Sequence, residues 1–340
     1  MEQQLGSTRT ADGVEIAYAT AGHGKPLLYV GGWLGHLELS WALPPERQLL
    51  ESLAQGRRLL RYDRPGSGLS ERTAAPVPSL DLELDVVEAV LAAAGVSRTD
   101  IVASSLGVPL MIAWAARHPE TVDRLLLYGG WARGADLGDP EVRDHVVALV
   151  AGAWGLGTDV LTDIFAPDVS AGTRAALSGY QREASSPETA AALLRLCYRI
   201  DVTASLGRVR APTLVVHREA DRAAPLAQAR LIAEAIPGAR LEVLPGRSHI
   251  PYAGDSERLV TTLRSFLGLP SAPPTPGPTL TTRQQEVAAL VAEGLTNREI
   301  GVRLGIEERS AEGHLERIRL RLGVRSRAQV AAWWVATNPA

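Results

Sequence analysis

The sequence contains little cysteine or lysine and no long apolar run. Cys197 is the single cysteine, which excludes an intramolecular disulfide and a cysteine-rich zinc site. Lys25 is the single lysine, so nearly all of the 35 basic residues are arginines. Because the arginines are spread along the chain, their excess is better explained by the base composition of the genome than by phosphate binding. No run approaches the roughly 18 apolar residues of a membrane-spanning helix, and the N-terminal residues lack the basic-then-apolar pattern of a signal peptide. We therefore expect a cytoplasmic protein without a membrane partner.

Proline is concentrated in one segment, residues 270–278, where five of the nine residues are proline. Such a run cannot join a helix or a central strand and favours an extended, semi-rigid spacer. A chain of 340 residues is long enough for one large domain and a smaller one. We therefore predict a domain over residues 1–269, a linker over 270–278 and a second domain over 279–340.

Before the linker, short apolar runs that suit strands alternate with stretches that suit helices. The predicted strands are Leu27–Val30, Arg58–Tyr62, Asp100–Ala103, Arg124–Tyr128, Thr213–His217 and Arg240–Leu244. The predicted helices between them are Ser79–Ala94, Val108–Arg117 and Leu226–Ile236. This alternation predicts an α/β fold, a mostly parallel, doubly wound sheet with helices on both faces. Residues 131–207 break the rhythm with a helical pattern and predict an inserted cap over the sheet.

After the linker the pattern is wholly helical and predicts a small all-α domain of four helices. Thr282 and Thr296, each followed three residues later by a glutamine or a glutamate, have the spacing of capping boxes that open the first two helices. The third helix is predicted from about Glu308 to Leu322, with its apolar residues on one stripe, and Ser326 can cap the fourth.

A tight turn between a predicted strand and a predicted helix holds a candidate nucleophile. Ala103-Ser-Ser-Leu-Gly107 matches the G-x-S-x-G nucleophile elbow with alanine in the first position. The match makes Ser105, and not Ser104, the candidate. Small residues flank the serine because neighbouring Cβ atoms would clash in so sharp a turn.

Two later turns carry the groups that activate such a serine, which alone is a weak nucleophile at neutral pH. His249 follows the last predicted strand and can take the serine proton, and Asp221 follows the strand before it and can hold the imidazole. Glu219 lies earlier in the same turn as Asp221 and is the alternative acid. We expect His217 to be a core or rim residue.

Two glycine-rich turns complete the pattern, Tyr29-Val-Gly-Gly-Trp-Leu-Gly35 and Asp63-Arg-Pro-Gly-Ser-Gly-Leu-Ser70. Together with serine, aspartate and histidine in that order, they make residues 8–268 resemble the α/β hydrolases. The resemblance implies an oxyanion hole formed by the backbone N–H groups of Trp33 and Leu106. Gly31 stands where the family usually has a histidine, so we expect this loop to be less firmly held.

The resemblance leaves two possibilities for this domain: hydrolysis of a small ester-, lactone- or amide-like ligand, or a pocket that binds a ligand without turnover. The complete serine, histidine and aspartate set favours an esterase-like serine hydrolase. Aromatic residues of the cap either line an apolar pocket or pack within the cap: Trp131, Trp154, Phe165, Tyr180 and Tyr198. The remaining histidines form no ligand-like cluster, so we expect no metal and no cofactor: His23, His36, His118 and His145.

The second domain carries the most specific motif in the chain. Residues 280–300, Leu304-Gly-Ile306 and residues 322–327 resemble, at matching spacing, the LuxR-type helix-turn-helix domain, which binds double-stranded DNA. In that family the third helix enters the major groove. The resemblance implies base or phosphate contacts for Thr296, Asn297, Arg309, Ser310, His314, Arg317, Arg321 and Arg325.

Charge weakens this expectation, because the net charge is −3 for the whole chain and residues 279–340 hold nine arginines against seven glutamates, a balance of only +2. Glu312 and Gly313 stand where the family usually has a lysine and an asparagine. A glutamate repels phosphate and a glycine weakens a helix, so we expect weak or unusual DNA binding. LuxR-type domains usually bind paired half-sites, and the fourth helix offers a homodimer face formed by Val330, Trp333, Trp334 and Val335.

These observations predict a DNA-binding transcriptional regulator whose hydrolase-like domain senses a small-molecule ligand, with or without cleaving it. One alternative is a working serine hydrolase whose helix-turn-helix module serves for dimerisation or localisation. Another is a hydrolase-like scaffold with no small ligand. The sequence identifies neither the ligand nor the DNA site.

Overall fold

The computed structural model describes residues 1–72, 75–270, 280–322, 324 and 326–337. The chain divides into two compact units, one made mainly of the residues up to 272 and one mainly of those from 273 onward. The predicted linker over 270–278 lies, apart from its first residue, outside the described residues. In the described part of the chain no helix is long and apolar enough to cross a membrane.

The first unit is built on an eight-stranded sheet in the order β1-β2-β4-β3-β5-β6-β7-β8. The strands are β1 (Gln3–Arg9), β2 (Glu15–Ala21), β3 (Lys25–Val30), β4 (Arg57–Tyr62), β5 (Thr99–Ser104), β6 (Val122–Tyr128), β7 (Thr213–Arg218) and β8 (Arg240–Leu244). β2 pairs with β1 and with β4 in antiparallel register, and the remaining pairs are parallel. The predicted α/β class with a mostly parallel sheet is confirmed, and all six predicted strands are present.

Helices pack on both faces of this sheet and also form the long connection between β6 and β7. Those beside the sheet are α1 (Leu37–Ala42), α2 (Pro44–Ala54), α3 (Leu80–Ala93), α4 (Gly107–Arg117), α10 (Leu226–Ala235) and α11 (Ser256–Phe266). Those between β6 and β7 are α5 (Pro140–Gly152), α6 (Trp154–Phe165), α7 (Ala171–Ala184), α8 (Pro187–Arg199) and α9 (Thr203–Leu206). This helical connection occupies the stretch that the sequence predicts to be a cap.

The central strands are apolar on both faces because each face is covered. In β5, Ile101 and Ala103 point to one side and pack in a core with residues of α3 and α4, whereas Val102 packs on the other side with residues of α2 and α11. All three side chains are buried. Burial on both faces explains why these strands have nearly continuous apolar sequences and no alternation.

In the second unit, the described residues form four helices: α12 (Thr282–Ala292), α13 (Asn297–Leu304), α14 (Glu308–Leu322) and α15 (Arg327–Thr337). Each contributes to one buried core, which includes Val287, Ile300, Ile318 and Val330. The predicted four-helix class is therefore confirmed. Because Val330 is fully buried within this core, its predicted place on a dimer face is wrong.

Capping boxes open α12 and α13. Thr296 and Glu299 form the second box as predicted. The first box is formed by Thr281 and Gln284, so the prediction that began it at Thr282 is wrong by one residue. Two adjacent threonines precede two adjacent glutamines, so the sequence offers both pairs at the required spacing.

Candidate active site and DNA-binding helices

Ser105 lies on the sharp turn that joins β5 to α4. Among the described residues it is the one non-glycine residue whose φ, +54°, falls in the left-handed region. A Cβ on Gly107 would lie 2.4 Å from the carbonyl oxygen of Val30, so only glycine lets the helix start this close to β3. The turn stores backbone strain and projects the serine hydroxyl from the end of the strand.

The structure brings Ser105, His249 and Asp221 together. Nε2 of His249 lies 2.8 Å from Oγ of Ser105, and Nδ1 lies 2.8 Å from Oδ2 of Asp221. These distances fit a neutral imidazole that donates from Nδ1 and accepts the serine hydroxyl at Nε2. Asp221 follows β7 and His249 follows β8, and the carboxyl ends of these parallel strands meet at the edge where β5 also ends.

The surroundings of Asp221 favour its ionised form. Burial alone would raise the pKa of this carboxyl, but the charge and hydrogen bond of His249 together hold it below its usual value. Its other oxygen, Oδ1, accepts the backbone N–H groups of Ala223 and Ala224 at 2.8 and 3.2 Å. Glu219, the alternative acid, is an exposed side chain two residues earlier.

His217 is fully buried on β7, as the sequence predicts for a core residue. Its Nε2 lies 2.9 Å from the carbonyl oxygen of Ala224 and 3.8 Å from Oδ2 of Asp221. Burial lowers its pKa, although the carboxylate of Asp221 acts in the opposite direction. His217 is therefore a neutral neighbour that packs against the carboxylate turn.

The helical connection between β6 and β7 also positions His249. The backbone N–H of His249 donates to the carbonyl oxygen of Phe165, the last residue of α6, at 2.7 Å. The two rings lie 5.5 Å apart between centroids. Sequence reasoning missed this contact, which fastens the histidine loop to α6.

The glycine-rich loop after β3 lies beside the serine. A Cβ on Gly32 would lie 3.5 Å from Cβ of Ser105, so the loop approaches the nucleophile closely. The N–H groups of Trp33 and Leu106, the predicted oxyanion donors, have no acceptor among the described residues. They are thus available to an oxygen atom bound at this place.

A buried arginine supports this loop. Because Gly31 replaces the histidine that the family usually has there, we predict from the sequence that the loop is less firmly held. Arg64 donates from Nε to the carbonyl oxygen of Gly32 at 3.1 Å and from Nη2 to that of Gly31 at 3.0 Å. Its Nη1 pairs with the buried carboxylate of Glu83 on α3. The sequence analysis identified the glycine-rich turn that begins at Asp63 and contains Arg64. Nothing in the sequence shows that this arginine contacts the loop after β3.

A cavity opens beside Ser105 and His249. Of the five cap aromatics considered, Phe165 and Tyr180 line it. Trp154 packs on Trp33 with the ring centroids 6.2 Å apart. The other two, Trp131 and Tyr198, lie outside its lining.

In the second unit, the residues implied in DNA contact fall into two groups. Arg309, Ser310 and Arg317 are exposed on α14, on the side away from its buried stripe of Ala311, Leu315 and Ile318. Exposed Glu312 lies beside them.

The other implied residues already have partners within the unit or are partly covered. Thr296 is engaged with Glu299 in the capping box, and Oδ1 of Asn297 accepts Nη1 of Arg327 at 2.8 Å. Arg321 donates to Oε1 of Gln284 at 2.9 Å. Partial burial, with Arg317 and Arg283 nearby, lowers the pKa of His314. Arg325 lies outside the described residues.

Comparison with known proteins places both parts of the chain. Residues 25–255 match the alpha/beta hydrolase fold family, and residues 278–334 match the bacterial regulatory proteins of the luxR family. The 2-hydroxymuconate semialdehyde hydrolase of Pseudomonas putida is 31% identical over 229 residues, which cover 63% of this chain and 78% of that protein. The pyrrolizixenacetamide deacetylase of Xenorhabdus hominickii is 28% identical over 259 residues, which cover 74% of this chain and 94% of that protein.

Solved structures agree with this assignment. A hydrolase from Pseudomonas aeruginosa PA01 superimposes with a TM-score of 0.67 at 26% identity, covering 78% of this chain and 98% of that one. The chain therefore belongs to the α/β hydrolase fold family and carries, after its hydrolase domain, a LuxR-type DNA-binding domain.

Proposed function

We propose that the protein is a transcriptional regulator whose hydrolase domain binds and hydrolyses a small ester-, lactone- or amide-like ligand. The observation that carries this proposal is the hydrogen-bonded series from Ser105 through His249 to Asp221, with the serine on a strained turn beside a cavity. A serine held only for packing would need neither partner. In keeping with this chemistry, two similar proteins are named a deacetylase and a semialdehyde hydrolase.

In the proposed reaction, Oγ of Ser105 attacks the ligand carbonyl carbon while Nε2 of His249 takes the hydroxyl proton. The carbonyl oxygen becomes an oxyanion and accepts the N–H groups of Trp33 and Leu106. His249 then gives its proton to the departing oxygen or nitrogen, which leaves an acyl group on Ser105. A water molecule, deprotonated by His249, attacks that acyl group, releases the acid and restores the serine.

Asp221 keeps the histidine in the tautomer that this cycle needs. Its carboxylate accepts from Nδ1 and stabilises the imidazolium that forms at each proton transfer. The two backbone donors at Oδ1 fix the direction of this carboxylate.

The regulatory half of the proposal rests on the LuxR-type domain, with double-stranded DNA as its partner. We assign the base or phosphate contacts to the exposed α14 residues Arg309, Ser310 and Arg317. Paired half-sites imply a homodimer in the cytoplasm, which sedimentation velocity of the full chain tests by its mass. Ligand control requires that the ligand bind the DNA-competent and DNA-incompetent states unequally.

Labelling with a fluorophosphonate probe tests the hydrolase half. Wild type should be labelled on Ser105, and the variants Ser105→Ala and His249→Ala should lose labelling. Ser104→Ala, which removes the neighbouring hydroxyl, and His23→Ala, which removes an exposed imidazole, are matched controls that should keep it. Folded wild-type protein that takes up no probe would refute an activated serine.

One observation favours an alternative, a serine hydrolase whose helix-turn-helix module serves mainly for dimerisation or localisation. The exposed side of α14 carries Glu308, Glu312 and Glu316 beside its arginines, which weakens attraction to phosphate. A gel shift with promoter DNA from the neighbouring locus separates the two. The regulator should retard that DNA and lose this ability in Arg309→Ala/Arg317→Ala, whereas the alternative predicts no retarded band.

A further inference from the structure

One part of the cavity wall is polar and does not belong to the serine, histidine and aspartate set. We call it the polar wall and define it by five residues that line the cavity from separate elements: Tyr29, Glu46, Arg61, Tyr180 and Tyr252. Glu46 and Arg61 are 8% and 6% exposed, so this wall lies at a buried side of the cavity. None of its members hydrogen bonds to Ser105, His249 or Asp221 in the described structure.

Glu46 stands out because one oxygen of its carboxyl lacks a hydrogen-bond partner, although the Tyr252 hydroxyl interacts with this carboxyl. Oε2 is buried without a hydrogen-bond partner among the described residues, and the salt bridges of the described chain leave Glu46 unpaired. A buried acceptor without a donor costs free energy that a native protein normally recovers elsewhere. A ligand donor in the cavity would supply the missing hydrogen bond.

Arg61, the nearest cation, is committed to other groups. Nη1 donates to Oγ of Ser40 at 2.8 Å, and Nη2 donates to Oε1 of Gln3 at 2.6 Å. Asp63 is likewise held, because its Oδ2 accepts the backbone N–H groups of Leu37 and Leu69 at 3.0 and 2.9 Å. These fixed partners leave Oε2 of Glu46 as a buried acceptor of the wall whose hydrogen bond a ligand can supply.

The charges of the wall select among donors. Arg61 would repel an ammonium group of a ligand, and Glu46 and Asp63 would repel a carboxylate. Burial raises the pKa of Glu46 to about 7, although Arg61 and the Tyr252 hydroxyl act in the opposite direction. A neutral hydroxyl avoids both repulsions and donates equally well to this carboxyl.

The geometry points to the polar wall as a subsite for a hydroxyl-bearing acyl group, in which Glu46 accepts the hydrogen bond of the ligand hydroxyl. This inference rests on the proposed hydrolase function and adds its substrate class. The acyl side is the part that fits, because it stays bound to Ser105 while the leaving group must depart through the mouth.

The test uses pairs of p-nitrophenyl esters that differ only in a terminal hydroxyl: 6-hydroxyhexanoate, 8-hydroxyoctanoate and 10-hydroxydecanoate against the plain alkanoates. Wild type should hydrolyse the hydroxylated ester of at least one length with a kcat/KM about tenfold higher than its plain partner. Glu46→Leu should bring that ratio close to one, and Glu46→Gln, which keeps the shape, should keep part of it. Glu38→Gln changes an exposed glutamate on α1 and should keep the full ratio.

A second measurement separates failure of this subsite from failure of the hydrolase function. Calorimetric titration of Ser105→Ala with methyl 8-hydroxyoctanoate and methyl octanoate measures binding when no ester can be cleaved. Tighter binding of the hydroxylated ester, abolished by adding Glu46→Leu, supports the subsite even if wild type hydrolyses nothing. Equal binding of the two esters, or a kcat/KM ratio that survives Glu46→Leu, overturns it.

Discussion

Arg64 connects the stability of the hydrolase domain to the shape of its oxyanion loop. Its guanidinium is 4% exposed and holds the carbonyl oxygens of Gly31 and Gly32 while it pairs with Glu83, which is 1% exposed. Arg64→Met leaves the Glu83 carboxylate buried without a counter-charge. Because breaking a buried pair in this way typically costs about 3–5 kcal/mol, we expect a loss of that size in the free energy of unfolding in urea.

The double variant Arg64→Met/Glu83→Leu separates the effect of Arg64 on stability from its effect on the shape of the oxyanion loop. Replacing both charges by apolar groups of similar size should restore most of the lost stability. The loop carbonyls still lack their donors, so the N–H of Trp33 should sit less accurately over Ser105. A misplacement near 1 Å or loss of one oxyanion donor costs about 100-fold in rate, and we expect fluorophosphonate labelling of the double variant to be about 10- to 100-fold slower.

Arg58→Met is the matched control, because Arg58 lies on β4, the strand just before the turn that holds Arg64, and donates to the carbonyl oxygen of Ala94, away from the loop. It should label at the wild-type rate. The reasoning is refuted if the double variant regains stability and also labels at the wild-type rate, since Arg64 would then not shape the loop.

Three further predictions concern single residues. Because burial raises the pKa of Glu46 to about 7 from an ordinary 4.5, the folded protein keeps a proton there that the unfolded chain releases, and the stability this gives at low pH is lost as the pH rises. Between pH 5 and 8 the urea unfolding free energy of wild type should therefore fall by about 2 kcal/mol relative to Glu46→Gln, and parallel profiles would contradict the burial argument. Asp221→Asn should keep the fold by circular dichroism but slow serine labelling by about 10⁴-fold, because the asparagine favours the wrong tautomer of His249. An unchanged labelling rate would show that Asp221 does not set this tautomer. Glu312→Lys should tighten DNA binding and steepen the dependence of log Kd on log salt by about one unit, while Glu293→Lys, the same charge change at the C-cap of α12, should not; equal slopes in both would remove the charge argument.

The sequence was sufficient to predict the buried strands and the residues that directly follow them, because both leave a pattern in a short stretch of chain. The central parallel strands, such as β5 and β7, are buried on both faces, and this burial leaves a readable apolar signal in the sequence. Ser105, Asp221 and His249 each follow a strand, so parallel topology alone brings them to one edge. The antiparallel β1 gave no such signal, because Gln3–Arg9 is a polar, largely exposed edge strand whose pairing with β2 supplies what its side chains do not.

Long-range contacts were beyond prediction. The carbonyl oxygens of Gly31 and Gly32 and the guanidinium of Arg64 are separated by more than thirty positions and meet only in the folded sheet. Glu46 lies in the first turn of α2, where a glutamate ordinarily faces solvent, and only the tertiary fold turns it into the cavity.

The central claim, that occupancy of the hydrolase pocket controls DNA binding, is tested most directly by fluorescence anisotropy titration of promoter DNA with the full chain, before and after stoichiometric fluorophosphonate modification of Ser105. The account predicts that modification changes the Kd for DNA by about fivefold or more, within the usual range of coupling between sites. Ser105→Ala treated with the same reagent should bind DNA as the untreated variant does. An identical Kd for modified and unmodified wild type would contradict the account and leave a hydrolase whose DNA-binding domain does not respond to its pocket.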